Sequence, residues 1–352
     1  MIATAPGKLI LTGEYAVLDG APAVVIAVDR RVIARRNATP RGSSPFLLAV
    51  ADEIAARRGA SDPATQAALE ISVDSAAFYH RTGRVLPATL ARRSITAQFA
   101  VVDPAHPRPT ELPADSNKLG LGSSAAVTVA ATALALDTTH RREILAVALA
   151  AHARAQGSRG ARGSGADIAA SVYGGTIVFS RPAGSGPALI EPRRWPAQVR
   201  ILPFFTGTAA DTAQLVSRVA AAREAHRTEV DAALTAITEA SRAACAALAA
   251  PPDIASVALI GALALAADAT GRLAAATRIE LVPPCVVAAR SALSRLGGTA
   301  KTTGAGGGDV GIAVIPAAAD ETTANRLLIE AGCQPLRIAL DETGVDLRPD
   351  AS

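Results

Sequence analysis

The stretch Lys118-Leu119-Gly120-Leu121-Gly122-Ser123-Ser124-Ala125-Ala126 is a glycine-rich turn that runs straight into an alanine- and valine-rich segment, residues 125–136. A segment apolar on every side reads as a buried helix. Glycines allow a backbone to approach a ligand with no Cβ in the way. The first turn of a helix offers unpaired N–H groups and the positive end of the dipole. Together these features make an anion site, above all for phosphate. Ser123 and Ser124 add hydroxyls suited to a metal ion, and Lys118 adds a counter-charge.

The composition supports a site of this kind. With 352 residues, half of them hydrophobic, the chain has enough apolar material for one large domain or two ordinary ones. Aromatics make up only 3%, which speaks against an aromatic-lined nucleic-acid surface. The formal charge of +4 suits anionic small ligands. Arg30, Arg31, Arg35 and Arg36 lie on an alternating segment and are expected to form a solvated strand edge. Cys245, Cys285 and Cys333 are far apart and lack metal-ligand spacing, so reduced thiols and a cytoplasmic location are expected. The N-terminus has no charged-then-apolar leader, and the apolar run 257–267 is short for a bilayer span. No membrane partner is expected.

Lysine usage is more informative. Only three of the 35 basic residues are lysine, namely Lys8, Lys118 and Lys301. Each stands beside glycine, in Pro6-Gly7-Lys8, ahead of Gly120-Leu121-Gly122, and ahead of Gly304-Ala305-Gly306-Gly307-Gly308. An ammonium meets phosphate as a compact point charge, which guanidinium does not replace. A shared role of the three lysines in one site is the expectation.

Taken in order, residues 2–18 read as two short extended pieces around a turn at Pro6-Gly7. Residues 23–35 read as a strand or a bent pair of strands, and 45–58 as an amphipathic helix. Residues 69–73 alternate like a half-buried strand. The prolines of 103–117 mark a loop feeding the glycine turn. Helices are predicted over 141–155, 213–250, 254–276, 283–296 and 324–331. Strands are predicted over 176–179, 199–205, 311–315 and 336–340. The Pro/Gly-rich link 182–196 is the candidate boundary. The elements mix without a regular βαβ series, so the fold class is α+β.

The usual P-loop spacing is absent, and so are the protein-kinase His-Arg-Asp and Asp-Phe-Gly motifs. Three ordered motifs carry a different resemblance. They are Pro6-Gly7-Lys8-Leu9-Ile10-Leu11-Thr12-Gly13-Glu14-Tyr15-Ala16-Val17-Leu18, Leu119-Gly120-Leu121-Gly122-Ser123-Ser124-Ala125-Ala126, and Lys301-Thr302-Thr303-Gly304-Ala305-Gly306-Gly307-Gly308-Asp309. In this order the chain resembles the GHMP small-molecule kinases. Tyr15 after Gly13-Glu14, Lys118 ahead of the second motif, the segment Phe204 to Val216 and the full third motif are similar to the phosphomevalonate kinase branch. One departure is Gly163-Ser164-Gly165-Ala166-Asp167, where many relatives carry phenylalanine before the aspartate.

The resemblance implies a two-domain α+β fold, residues 1–185 binding ATP and residues 186–352 forming the C-terminal kinase domain, with the site in the cleft between them. It implies ATP binding by Lys118, Gly120, Leu121, Gly122, Ser123, Ser124 and Ala125, and Mg²⁺ ligation by Ser124. Asp167 would accept the acceptor's proton, and Lys8 would hold Asp167 ionised and stabilise the transferring phosphoryl group. Glu14, Tyr15, Ser164, Gly165, Thr303, Gly304, Ala305 and Gly306, with Lys8, would line the acceptor side. The third motif would offer backbone N–H groups near the transferred phosphate. Lys118, Arg159 and Arg162 are candidates for the acceptor's carboxylate or phosphate.

Several plainer readings stand beside these. Asp167 alone would be a helix cap, Glu14 and Tyr15 could simply pack the turn, and Asp309 is expected to brace its glycine loop. The histidines are expected at surface or capping positions. The implied reaction is ATP-dependent phosphorylation of 5-phosphomevalonate to the diphosphate. Mevalonate or another alcohol is the alternative acceptor, and a GHMP-fold regulator without turnover is a third reading. A monomer or homodimer is expected.

Overall fold

The computed structural model describes residues 1–36, 44–81, 116–157, 163–182 and 186–350. The proline-rich stretch 103–115, Arg159 and Arg162 lie outside the described residues.

The chain opens with strands β1 (Ile2–Thr12) and β2 (Ala23–Arg36), followed by helices α1 (Pro45–Arg58) and α2 (Pro63–Leu69). Strand β3 (Ile71–Asp74) comes next, then the short pair β4 (Tyr79–Arg81) and β5 (Ser116–Lys118). Pro6-Gly7 is no turn. It is a bulge inside one continuous β1, where Pro6 pairs with Arg31 and Gly7 already with Val28. Proline has no N–H to give the ladder and is tolerated at such an irregularity. Gly7 is there for close approach, since a Cβ would lie 2.8 Å from both the Leu121 carbonyl oxygen and the Phe78 ring.

Helix α3 (Ser123–Leu136) follows the glycine turn, then α4 (Arg141–Gly157), α5 (Ala166–Tyr173), β6 (Thr176–Ser180) and β7 (Leu189–Arg193). All but two residues of α3 are buried. It packs on β1 and β2 and is wrapped by α1, α2, α4 and α5. That enclosure is the reason its sequence carries no polar face.

The rest of the chain forms β8 (Val199–Phe205), α6 (Thr212–Ala225), α7 (Arg227–Ala249), α8 (Pro252–Thr277), α9 (Pro284–Leu293), β9 (Thr299–Thr302), β10 (Val310–Pro316), α10 (Glu321–Glu330), β11 (Gln334–Pro335) and β12 (Asp346–Arg348). The helical stretch expected over 213–250 is broken at His226, whose extended φ of −131° ends α6. Helix α8 alone among the described helices is long and apolar enough to cross a membrane. It nevertheless packs along α7 and β9 and buries Leu259, Leu263, Ala266 and Leu273.

Two antiparallel sheets organise these elements. The first runs β12-β1-β2-β6-β7, with β3 also on β2, and the second runs β11-β8-β10-β9. Strands β7 and β12 therefore follow residue 186 in the chain but pair in the first sheet. Strand β10 is buried on both faces. Val310, Ile312 and Val314 join the core shared with α3, while Ala313 and Ile315 pack against Val286, Leu293 and Leu328.

The last strand is not 336–340. Leu340 makes only a single bridge to Val28, and β12 instead returns to pair with the first residues of β1. Arg31 fixes this return. Its guanidinium forms an ion pair with Asp341 and donates to the Gly344 carbonyl and to Thr4. It is thus a tie between chain ends, where a solvated edge was expected.

Candidate functional site

The site forms where β1 passes the glycine turn. The Lys8 amide donates to the Leu121 carbonyl at 2.8 Å, and its Nζ lies 3.4 Å from the Gly120 carbonyl oxygen. Gly120 and Gly122 have φ of +65° and +76°, which disfavour any side chain. Neither has room for one. A Cβ on Gly122 would lie 2.9 Å from Lys8 Cε, and one on Gly120 would lie 2.3 Å from Asp309 Oδ2. The turn is held between a lysine and a carboxylate. Gly122 then caps α3 without a side-chain acceptor, so the first-turn N–H groups of α3 suit an anion.

Asp167 comes to Lys8 on the first turn of α5. Gly165 caps that helix at φ +87°, Ser164 Oγ accepts from the Ala166 amide at 3.2 Å, and Asp167 Oδ1 accepts from the Ile168 amide at 3.0 Å. Ser171, one turn further on, donates to the Pro6 carbonyl and locks α5 against β1. Burial pulls the Lys8 ammonium below the usual lysine range, and the charges of Asp167 and then Asp309 oppose that pull. Lys118, exposed at the end of β5, adds like charge nearby. Burial pushes the Asp309 carboxyl up, while the Ala210 N–H, Lys8 and Lys118 pull it back.

The other expected nucleotide residues occupy different depths. The side chains of Leu121, Ser123 and Ala125 are buried, so only their backbone is available to a ligand. Ser124 is half-buried, and its Oγ lies 3.3 Å from His152 Nε2.

The third motif joins the first. Lys301 and Glu14 form an ion pair with both side chains 1% exposed. Lys301 also donates to the Thr302 carbonyl at 2.6 Å. Burial pushes the Glu14 carboxyl above its ordinary range, with Lys301 opposing. The expectation that all three lysines share one site is therefore corrected, since Glu14 takes up the ammonium of Lys301. Tyr15 donates its hydroxyl to the Ala305 carbonyl at 2.6 Å, and the Gly304 amide donates to Ile10 at 3.3 Å. Thr303 Oγ1 donates to Val310 at 2.6 Å. The amides of Gly304, Gly306, Gly307 and Asp309 all donate to carbonyls within the protein. These four bonds shape the loop, and the expectation of backbone N–H groups near a phosphate passes to its remaining amides.

Two residues of the site have partners that sequence reasoning did not foresee. Asp309 braces more than its own loop, because Oδ1 accepts from the Ala210 amide at 3.1 Å and the carboxyl rests on Gly120. Its positive φ of 53° is a conformation uncommon outside glycine, and no local pattern predicts it. His152 is no surface residue. It is 2% exposed and its ring stacks on Phe46 at 5.2 Å. Trp195 packs in the link, donating to the Val199 carbonyl at 2.8 Å. Among the described residues no group of three or more His, Cys, Asp or Glu could hold a metal ion.

Comparison with known proteins gives this geometry a context. Residues 110–175 match the GHMP kinases N terminal domain. The chain is 30% identical over 378 aligned positions to the phosphomevalonate kinase of Streptomyces sp. (strain CL190), covering 94% of this chain and 95% of that protein. It is also 30% identical over 220 positions to the mevalonate kinase of Aeropyrum pernix, covering 62% of this chain and 60% of that one. The Streptococcus pneumoniae phosphomevalonate kinase, solved with phosphomevalonate and AMPPNP, shares the fold at a TM-score of 0.68 and 17% identity, over 97% of this chain and 100% of that one. The two-sheet α+β architecture, the order of the glycine motifs and the full-length relative agree: the chain belongs to the GHMP kinase family.

Proposed function

We propose that this protein is an ATP-dependent kinase that transfers the γ-phosphoryl group of ATP to 5-phosphomevalonate, giving ADP and 5-diphosphomevalonate. The observation that carries this reading is Lys8, held between the glycine turn at the start of α3 and the carboxylates of Asp167 and Asp309. The full-length likeness to a phosphomevalonate kinase supports the choice of acceptor.

In this reading the triphosphate lies over 120–124, at the N-terminus of α3. Phosphoryl transfer demands positioning and charge neutralisation more than covalent chemistry. Lys8 supplies positive charge to the transferring group. Asp167 takes any proton left on the attacking phosphate oxygen of the acceptor. A phosphate monoester is already largely dianionic at neutral pH, so orientation of the acceptor is the larger part of Asp167's role. Mg²⁺ typically keeps several waters and uses one or two protein oxygens together with substrate phosphates. The donor set here fits that habit, with the half-buried Ser124 hydroxyl on the first turn of α3 as the protein ligand. When bound, the ion would neutralise charge on the phosphates.

The division into 1–185 for nucleotide and 186–352 for closing the site belongs to the same proposal. So do a small acidic substrate as the partner, a monomer or homodimer, and a cytoplasmic location. Lys118, at the exposed rim, is assigned to the acceptor's negative groups as well as to ATP. A mevalonate kinase reading rests on the shorter match to the Aeropyrum pernix enzyme.

A coupled assay of ADP release over mevalonate, 5-phosphomevalonate, homoserine and a hexose tests the assignment. Turnover with 5-phosphomevalonate alone is the expected result. Turnover of mevalonate without turnover of its phosphate would overturn it.

A further inference from the structure

His152 is a histidine buried in a core made largely of alanine, valine and leucine. It sits on α4, one layer behind the phosphate turn. Its ring stacks on Phe46 of α1, with centroids 5.2 Å apart and planes 24° from parallel. Its Nε2 lies 3.3 Å from Ser124 Oγ. The Ser124 backbone is engaged as well, its carbonyl accepting from Thr128 Oγ1 at 2.8 Å. The serine is thus held by its main chain on α3 and by its side chain on α4.

A hydroxyl has one proton to donate and two lone pairs to offer. If its oxygen is to serve a cation, the proton must be directed elsewhere, and a neutral imidazole nitrogen is a good acceptor. Residues behind a metal ligand commonly set its orientation in this way. Phe46 fixes the ring plane, so the imidazole is itself pre-positioned.

We propose that His152 is a positioning residue for Ser124: Nε2 accepts the Ser124 hydroxyl proton in a hydrogen bond, so that the serine oxygen is free for the cation of the nucleotide complex. The assignment makes His152 the tautomer protonated on Nδ1. It rests on the reading of Ser124 as the Mg²⁺ ligand.

Four variants test it, by two readouts. One is the free Mg²⁺ giving half-maximal activity at saturating ATP and acceptor. The other is Mn²⁺ binding to the protein–ATP complex, followed by electron paramagnetic resonance without turnover. His152→Phe keeps a ring against Phe46 but offers no acceptor. It is expected to weaken both readouts by about tenfold to a hundredfold, with the acceptor's KM unchanged. His152→Gln, whose amide oxygen can accept the same proton, is expected within about threefold of wild type. Ser124→Ala is expected to match His152→Phe or exceed it, and adding His152→Phe to Ser124→Ala should do nothing more. Wild-type Mg²⁺ and Mn²⁺ dependence in His152→Phe, with Ser124→Ala impaired, overturns the role of His152 and leaves that of Ser124 standing. Unchanged behaviour in Ser124→Ala removes the Ser124 reading, and this proposal falls with it. Where His152→Phe does not fold, His152→Met fills the same apolar space and carries the same expectation.

Discussion

Lys8 and Lys301 look alike in the sequence, each a rare lysine beside glycine, yet the fold gives them opposite surroundings. Lys8 lies at the glycine turn with one like charge and two carboxylates about it, none of which it meets in a direct ion pair among the described residues. Lys301 is sealed in the protein against Glu14 and the Thr302 carbonyl. One ammonium is available to a ligand and the other is already satisfied. A lysine that acts on a substrate must be left short of partners within the protein. A lysine that holds a fold together must not be.

The sharpest way to break that contrast is to remove the pair proposed to act on the phosphoryl group. Asp167→Asn and Lys8→Met are each expected to lower kcat by on the order of a hundredfold to ten-thousandfold, the usual range for a positioned proton acceptor or charge stabiliser. Neither should lower the unfolding midpoint. Lys8 is a charge that burial disfavours, so its replacement by an apolar chain of similar length leaves stability unchanged or higher. Turnover close to wild type in either variant, measured as initial rate of ADP release, would sink the assignment.

The converse holds for the seam between the first and third motifs. Lys301→Met leaves Glu14 buried without its counter-charge, so that it must stay charged alone or take up a proton, and such breakage costs about 3–5 kcal/mol. Glu14 Oε2 already lacks a hydrogen-bond partner among the described residues, and without Lys301 the carboxylate keeps only its own backbone N–H. Replacing both residues, as Glu14→Met with Lys301→Met, is expected to recover much of the loss, because two apolar chains of similar volume do not leave an orphan charge. Urea unfolding of the two variants decides the matter. A single variant as stable as wild type would show that Lys301 is not a structural tie.

A smaller effect should appear in pH dependence. The Lys8 pKa is lowered in the folded protein, so as pH rises its proton is lost before that of an ordinary lysine near 10.4. Activity should therefore fall on an alkaline limb that begins below the ordinary lysine range. In the window between the lowered and the ordinary value the unfolded chain binds the extra proton, so the Lys8 contribution to stability rises with pH. Lys8→Arg keeps its charge throughout, and the limb in its residual activity should move upward. A limb that stays in place belongs to another group.

These outcomes bear on what could be read from sequence alone. The glycine turn was legible because Gly120 and Gly122 adopt a backbone conformation costly to other residues, and because α3 is apolar on every side. Asp167 was legible through the glycines and serine before it, which set the start of α5. The role of Lys301 was not, since a lysine beside glycines has the same local pattern whether it faces a phosphate or a glutamate 287 positions away. The contacts of Asp309 and His152 were missed for the same reason. Their partners, Gly120 and Ala210 for the one, Ser124 and Phe46 for the other, are brought together only by packing of separate elements. The return of β12 to β1 pairs opposite ends of the chain, and no window of periodicity spans that distance.

Tyr15 supplies the finest test of the comparison, because it lies between its two halves. It follows Glu14 directly, has a positive φ of 59°, and ties the first motif to the third through Ala305. Burial pushes its phenol above the ordinary range, so the hydroxyl stays protonated and donating at any working pH. Tyr15→Phe keeps the ring in its apolar cluster and removes only that donor. A single neutral hydrogen bond contributes about 1 kcal/mol, and that is the stability loss expected. If Tyr15 belongs with Lys301, the KM for the acceptor should not move. If it belongs with Lys8, as a residue the acceptor touches, KM should rise as well. Unfolding and steady-state kinetics on this one variant therefore place the boundary between the part of the first motif that holds the fold and the part that meets the substrate.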